Sequence, residues 1–277
     1  MTYAYATLMV HLELGRSNAG LLQIAADLAA RFHASVIGIA ACQPLQVIYG
    51  EGFVSGDLYE QDRQELDKEM KAAEAEFRSA LQACAATLEW RSAVTFALLS
   101  DYLAREARSA DLVITGVASG DLFDSSRSVN SGDLVMRAGR PVLVVPATTG
   151  KVKLERILVG WKDTRETRRA VSDALPLLKN AAHVAVVEIA AEEELTAARS
   201  HLEDVAGWLK RHGIKAECLA SPSTGDDATA LYAVAQDQGA DLIVAGAYGH
   251  SRLREWALGG VTRDLLLRAN FCSLLSH

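Results

Sequence analysis

The residues best suited to chemistry lie near the C-terminus, in the segment Gly246-Ala247-Tyr248-Gly249-His250-Ser251-Arg252-Leu253-Arg254-Glu255-Trp256-Ala257-Leu258-Gly259-Gly260-Val261-Thr262. Gly246 and Gly249 let the chain leave an apolar run sharply and pass close to a ligand with no Cβ in the way. Gly259 and Gly260 then open a helix. The amides of a first helical turn have no intrahelical partner and sit at the positive end of the dipole. Gly259, Gly260, Val261 and Thr262 are therefore placed to meet phosphate oxygens. His250, Ser251 and Arg252, with Arg254 close by, add donors and positive charge. That chemistry is anion capture. A tight turn followed by a helix start accounts for the glycines without a ligand.

Catalytic patterns are scarce. His11, His33, His183, His201, His212, His250 and His277 are scattered, with no HExxH or paired metal-ligand spacing. There is no GxSxG nucleophile elbow and no Walker lysine loop. Glu60, Glu65 and Glu69 fall on one helix face and read as solvation. Cys42, Cys84, Cys218 and Cys272 are far apart, which suits free thiols and not disulfide staples or a zinc site.

The elements that must position the loop come twice. Ala110-Asp111-Leu112-Val113-Ile114-Thr115-Gly116 returns as Ala240-Asp241-Leu242-Ile243-Val244-Ala245-Gly246. A helical stretch precedes each, Tyr102 to Arg108 and Leu231 to Gln238, and Thr7-Leu8-Met9-Val10-His11 has its counterpart in Ile157-Leu158-Val159-Gly160-Trp161. Two copies of one α/β unit are implied. Strands are expected near 5–12, 35–41, 91–97, 111–116 and 141–145, and again near 155–160, 183–189, 214–219, 241–246 and 271–275. Apolar runs without alternation, such as Val142-Leu143-Val144-Val145, suit parallel strands covered on both faces. Regular strand–helix alternation predicts α/β architecture, two tandem doubly wound five-stranded parallel sheets. Asp57, Asp101 and Asp163 read as helix caps. Leu66, Met70, Ala73, Phe77, Leu81, Cys84 and Leu88 form the stripe of a long helix lying on its own sheet. Pro146 to Lys153 reads as a linker, giving domains over 1–148 and 153–277.

Composition narrows the partners. In 277 residues, 28 Lys plus Arg face 35 Asp plus Glu, a net charge of −7 that argues against a general nucleic-acid binder. No apolar run approaches the roughly 20 residues that span a bilayer. The opening Met1-Thr2-Tyr3-Ala4-Tyr5-Ala6 lacks the pattern of a signal peptide, so a cytoplasmic location without membrane contact is expected.

The glycine segment resembles the G-x-x-G-x9-G-S/T nucleotide loop of the universal stress proteins. Gly246, Gly249 and Gly259 match its glycines, and Gly260 stands at the Ser/Thr position. The resemblance extends over nearly the whole chain as a tandem of two such domains. It implies strand order 3-2-1-4-5 in each, packed as a pseudo-dimer with the fifth strands adjacent. It further implies a stress-response binding protein holding ATP or another adenine nucleotide, with Mg²⁺ as the accompanying ion.

Phosphates would lie on the glycine loop and adenine near the end of the first strand, at Trp161, Lys162 and Asp163. This chain departs from the pattern at two positions. Lys162 stands where the family has Asp, with Asp163 adjacent, and Gly260 lacks the hydroxyl. One hydrogen bond to a charged acceptor contributes about 1.5–3 kcal/mol, one to two orders of magnitude in affinity. Thr262 would replace that hydroxyl if turned inward, but reads first as a helix-surface residue.

The first copy departs further. Its second glycine, Gly120, comes one place late, Asp121 and Asp124 would repel a polyphosphate, and Ser128-Val129 stand for Gly259-Gly260. Glu13 lies near the Asp position and matches it only in part, and the first copy reads mainly as structural, over an independent nucleotide site. Three functions follow: nucleotide binding without efficient catalysis in the second copy, slow ATP hydrolysis at the same site, or a nucleotide-free scaffold for a protein partner. A homodimer of the tandem chain is compatible with each.

Overall fold

The computed structural model describes residues 4–44, 56–117, 126–147, 153–248, 261–267 and 271–277. The first half runs β1 (Thr7–His11), α1 (Ala19–Phe32), β2 (Ser35–Cys42), α2 (Gly56–Leu81), β3 (Leu88–Val94), α3 (Leu99–Glu106), β4 (Leu112–Gly116), α4 (Ser131–Ala138) and β5 (Val142–Val145). The second runs β6 (Arg156–Trp161), α5 (Arg165–Asp173), α6 (Leu175–Asn180), β7 (His183–Ala190), α7 (Leu195–Arg211), β8 (Glu217–Pro222), α8 (Asp227–Asp237), β9 (Leu242–Gly246), α9 (Val261–Leu267) and β10 (Cys272–Ser276).

All ten strands join one sheet in the order β3-β2-β1-β4-β5-β10-β9-β6-β7-β8. Each half is thus a parallel 3-2-1-4-5 sheet, and the fifth strands meet antiparallel with Leu274 opposite Leu143. Alternate residues feed two cores, as the two-residue period of a strand requires. Leu8, Val10, Val159 and Val244 pack beneath helices on the side of α1, α2, α5 and α7, together with Phe77 and Leu202. Met9, Val113, Leu158 and Ile243 face the other side, with Leu103, Leu134, Leu231 and Leu265 of α3, α4, α8 and α9. Both cores run through both halves. The closing strands are apolar on every residue of Val142–Val145 because helices cover both faces.

The repeated Ala-Asp-Leu motif has a structural basis. The Asp111 carboxylate accepts the amides of Ala6 and Thr7, at 2.8 and 2.9 Å. Asp241 does the same for Glu155 and Arg156, at 3.1 and 3.0 Å. Each aspartate satisfies the backbone at the entry of the neighbouring first strand, where the ladder has not yet begun.

Three local expectations are corrected. The third strands lie three residues earlier and later than expected, at Leu88–Val94 and Glu217–Pro222. They are the outer edges of the sheet, half-buried to exposed along their length, so continuous hydrophobicity does not mark them. The run that suggested otherwise leaves Val94, Phe96 and Leu98 exposed at 52%, 80% and 55%. Asp101 lies inside the first turn of α3 instead of capping it, and Thr164, not Asp163, caps α5 by accepting the Thr167 amide. The long helix ends at Leu81; Leu66, Ala73, Phe77 and Leu81 are buried on the sheet, while Leu88 opens β3.

Candidate functional site at the carboxyl edge of β6 and β9

The strand order of the second half reverses between β6 and β9. Helices α5 and α7 lie on one face and α8 and α9 on the other, so the crevice beyond the ends of β6 and β9 is the place where open α/β sheets hold ligands. Of the residues expected to bind there, Gly246, Trp161, Lys162, Asp163, Val261 and Thr262 are described. Gly249, His250, Ser251, Arg252, Gly259 and Gly260 lie outside the described residues.

Gly246 ends β9 against the first turn of α5. A Cβ there would come within 2.4 Å of the Thr167 nitrogen and 2.7 Å of the Glu166 carbonyl carbon. Its missing side chain therefore admits a helix, which is a packing reason for this glycine. The same position in the first half, Gly116, meets nothing within 4 Å. The difference follows from the connections. In the second half only three residues separate the end of β6 from α5, whereas seven separate β1 from α1.

Thr262 departs from the helix-surface reading. It is 4% exposed, and its hydroxyl accepts the Tyr248 amide at 3.4 Å. Tyr248 is held in the left-handed region at φ +59°, a conformation that side chains other than glycine adopt at a cost. On its other side the Ala247 amide donates to the Ser276 carbonyl, and His277 Nδ1 lies 3.0 Å from the Ala247 carbonyl oxygen. The two ends of the glycine segment are thereby tied together beside α9.

At the end of β6, the Trp161 ring is partly buried in the α5–α7 core, and its indole N–H is buried with no acceptor among the described residues. Lys162 and Asp163 are exposed, and Asp163 pairs with Arg168 of α5. Glu188, opposite Trp161 on β7, has its carboxyl pushed above the ordinary range by burial, partly offset by His201 at 3.4 Å. Glu166 is nearly buried; burial raises its carboxyl, but the Arg165 guanidinium outweighs this and holds it low. Cations of Lys162, Arg165 and Arg168 thus gather at this edge. Among the described residues no group of three His, Cys, Asp or Glu side chains forms a metal site.

The first-half counterpart is built differently. In register, His11 and Thr115 occupy the positions of Gly160 and Ala245, so β1 matches β6 one residue away from the expected pairing of His11 with Trp161. They form a buried pair, with Nδ1 3.0 Å from the Thr115 hydroxyl. Beyond β2 the Gln43 amide donates to the Ser126 carbonyl at 2.7 Å, and Arg127 binds both Glu69 oxygens at 2.7 and 2.9 Å. Glu13 is half-buried, its carboxyl raised by burial despite Arg16 at 3.7 Å. These contacts tie Ser126 and Arg127 to the end of β2 and to α2, with Arg127 and Glu69 close to Gly15 after β1. Asp121 and Asp124 lie outside the described residues. Sequence reasoning passed over Tyr248 and Thr115, whose partners lie 14 and 104 positions away.

The described helices include none long and apolar enough to cross a membrane. Residues 221–275 match the family model described as Universal stress protein family. No curated protein matches the sequence. Among solved structures, a universal stress protein from Archaeoglobus fulgidus covers 98% of this chain and 95% of its own, at 13% identity and a TM-score of 0.74. One described as a putative universal stress protein, from Pseudomonas aeruginosa, covers 99% and 93%, at 15% identity and a TM-score of 0.64. A functionally unknown protein from the same species covers 99% and 92%, at 15% identity and a TM-score of 0.61. These likenesses show the fold.

Proposed function

We propose that this chain, a member of the universal stress protein family, is a stress-response binding protein that holds ATP or a related adenine nucleotide in its second half. The observation that carries the reading is the Tyr248–Thr262 hydrogen bond. It ties the two flanks of the glycine segment together at the switch point of the sheet, inside the stretch that the family model matches. Backbone amides at the start of α9 would take phosphate oxygens, with Gly249, His250, Ser251, Arg252, Gly259 and Gly260 completing the cradle. Lys162 and Asp163 would border the base. Mg²⁺ would arrive with the phosphates, since no described carboxylate cluster is built for it. Binding without efficient turnover is the reading, with slow ATP hydrolysis at the same site as its alternative. The first half is read as a structural partner, a reading supported by the buried His11–Thr115 pair at the strand ends where the second half has Gly160 and Ala245. A cytoplasmic setting suits a nucleotide sensor.

Calorimetry with ATP and a non-hydrolysable analogue tests this. One site per chain for both, without phosphate release, supports it. Steady phosphate release makes the protein a slow ATPase, and no heat with any adenine nucleotide refutes the reading. Gly259→Val should abolish binding while the fold persists, and Ser128→Ala should not affect it. A scaffold role has one observation in its favour, the exposed row Val94, Phe96 and Leu98 beside the outer edge strand, which could meet a protein partner or a second copy.

A further inference from the structure

We propose that the first half braces the ligand loop of the second, and that Tyr248 is the positioning residue through which it does so; this rests on the nucleotide reading above. The tyrosine hydroxyl crosses between the halves and lies over the first turn of α4. A Cβ built on Gly132 would sit 2.4 Å from that oxygen, 3.3 Å from Asn130 Oδ1 and 3.6 Å from Leu266 Cδ1 of α9. Gly132 is therefore the opening that lets the hydroxyl in. The platform is firm, because Asn130 caps α4 by accepting the Asp133 amide at 2.9 Å and Leu134 and Val135 are buried beneath it.

Both ends of the glycine segment thus rest on one helix turn of the other half. The leading end rests through the Tyr248 hydroxyl, and the trailing end through α9, whose Leu266 meets the same spot. The left-handed backbone of Tyr248 would relax if its ring were free; the seat on Gly132 and the bond to Thr262 hold it. This gives the first half a task that needs no ligand of its own.

The test uses Gly132→Ala, Tyr248→Phe and the double variant in the full chain. Alanine is a better helix former than glycine, so without the hydroxyl the change should stabilise α4. With the hydroxyl present the new methyl must displace Tyr248. Gly132→Ala should weaken ATP binding about tenfold or more by mispositioning the loop, and lower the melting temperature. Adding Tyr248→Phe makes room for the methyl, so the double variant should recover both affinity and melting temperature to at least the Tyr248→Phe level. Hydrogen exchange at the Tyr248 amide of the ligand-free protein should quicken in Gly132→Ala and slow again in the double variant.

ATP affinity unchanged in Gly132→Ala, or a double variant no better than Gly132→Ala, would overturn the brace. Exchange is read without nucleotide, so failure of the unaltered protein to bind ATP would sink the functional reading and leave the coupling of Gly132 to Tyr248 separately decided.

Discussion

The His11 imidazole on β1 meets the Thr115 hydroxyl on β4 at 3.0 Å, with both side chains almost wholly buried in the first half. Burial lowers the imidazole pKa from 6.5 to about 4, so His11 is neutral at pH 7. The unfolded chain binds this proton between those two values and the folded chain does not. Stability therefore falls as pH drops from 6.5 towards 4, by up to about 3 kcal/mol. Urea unfolding at pH 7.5 and pH 4.5 should show this loss, and His11→Asn should flatten it. An unchanged acid limb in the variant would show that other groups carry it.

Gly246 and Gly116 should respond in opposite ways to alanine. At Gly246 the methyl would meet the backbone of Thr167 at 2.4 Å and must push α5 off the sheet, an overpacking that costs typically about 1–3 kcal/mol. At Gly116 it enters open space, and the change should stay within about 0.5 kcal/mol. Thermal unfolding of the two variants side by side checks the pair.

Asp111→Ala and Asp241→Ala each strip two backbone amides of their acceptor. In each pair one bond is exposed and the other half-buried, so water can replace part of what is lost and each variant should lose about 0.5–1.5 kcal/mol. The two sites share no partner, so the double variant should lose close to the sum. Denaturant midpoints at constant slope would measure it; strong non-additivity would mean that the two halves unfold as a more tightly coupled unit than these contacts imply.

Thr262→Val keeps the shape of the side chain and removes the oxygen that accepts the Tyr248 amide. Stability should fall by about 1–2 kcal/mol and nucleotide affinity with it, whereas Thr262→Ser should retain both. Calorimetry on the three proteins separates the hydroxyl's contribution from that of the methyl.

Much of the frame was legible because its signals are local. The two Ala-Asp-Leu repeats locate β4 and β9 to within a residue, and the Val142–Val145 run shows a strand covered on both faces. Edge strands were harder. In β3 no residue is fully buried, and the more apolar stretch after it is exposed for a reason that chain-local pattern does not carry. The candidate site was legible as a motif but not as a structure. Nothing near Gly246 in sequence shows that α5 will occupy its Cβ position. Nothing near Thr262 shows that its hydroxyl turns inward to Tyr248. Those outcomes depend on contacts between elements.

The antiparallel contact of β5 with β10 brings both inner edges together within a single polypeptide. Where such a pair is assembled from two identical chains, every substitution is copied onto both sides of the symmetry axis. Here each lands once. His11 and Thr115 stand on one side where a glycine and an alanine stand on the other, and neither half is bound to repeat what its neighbour carries.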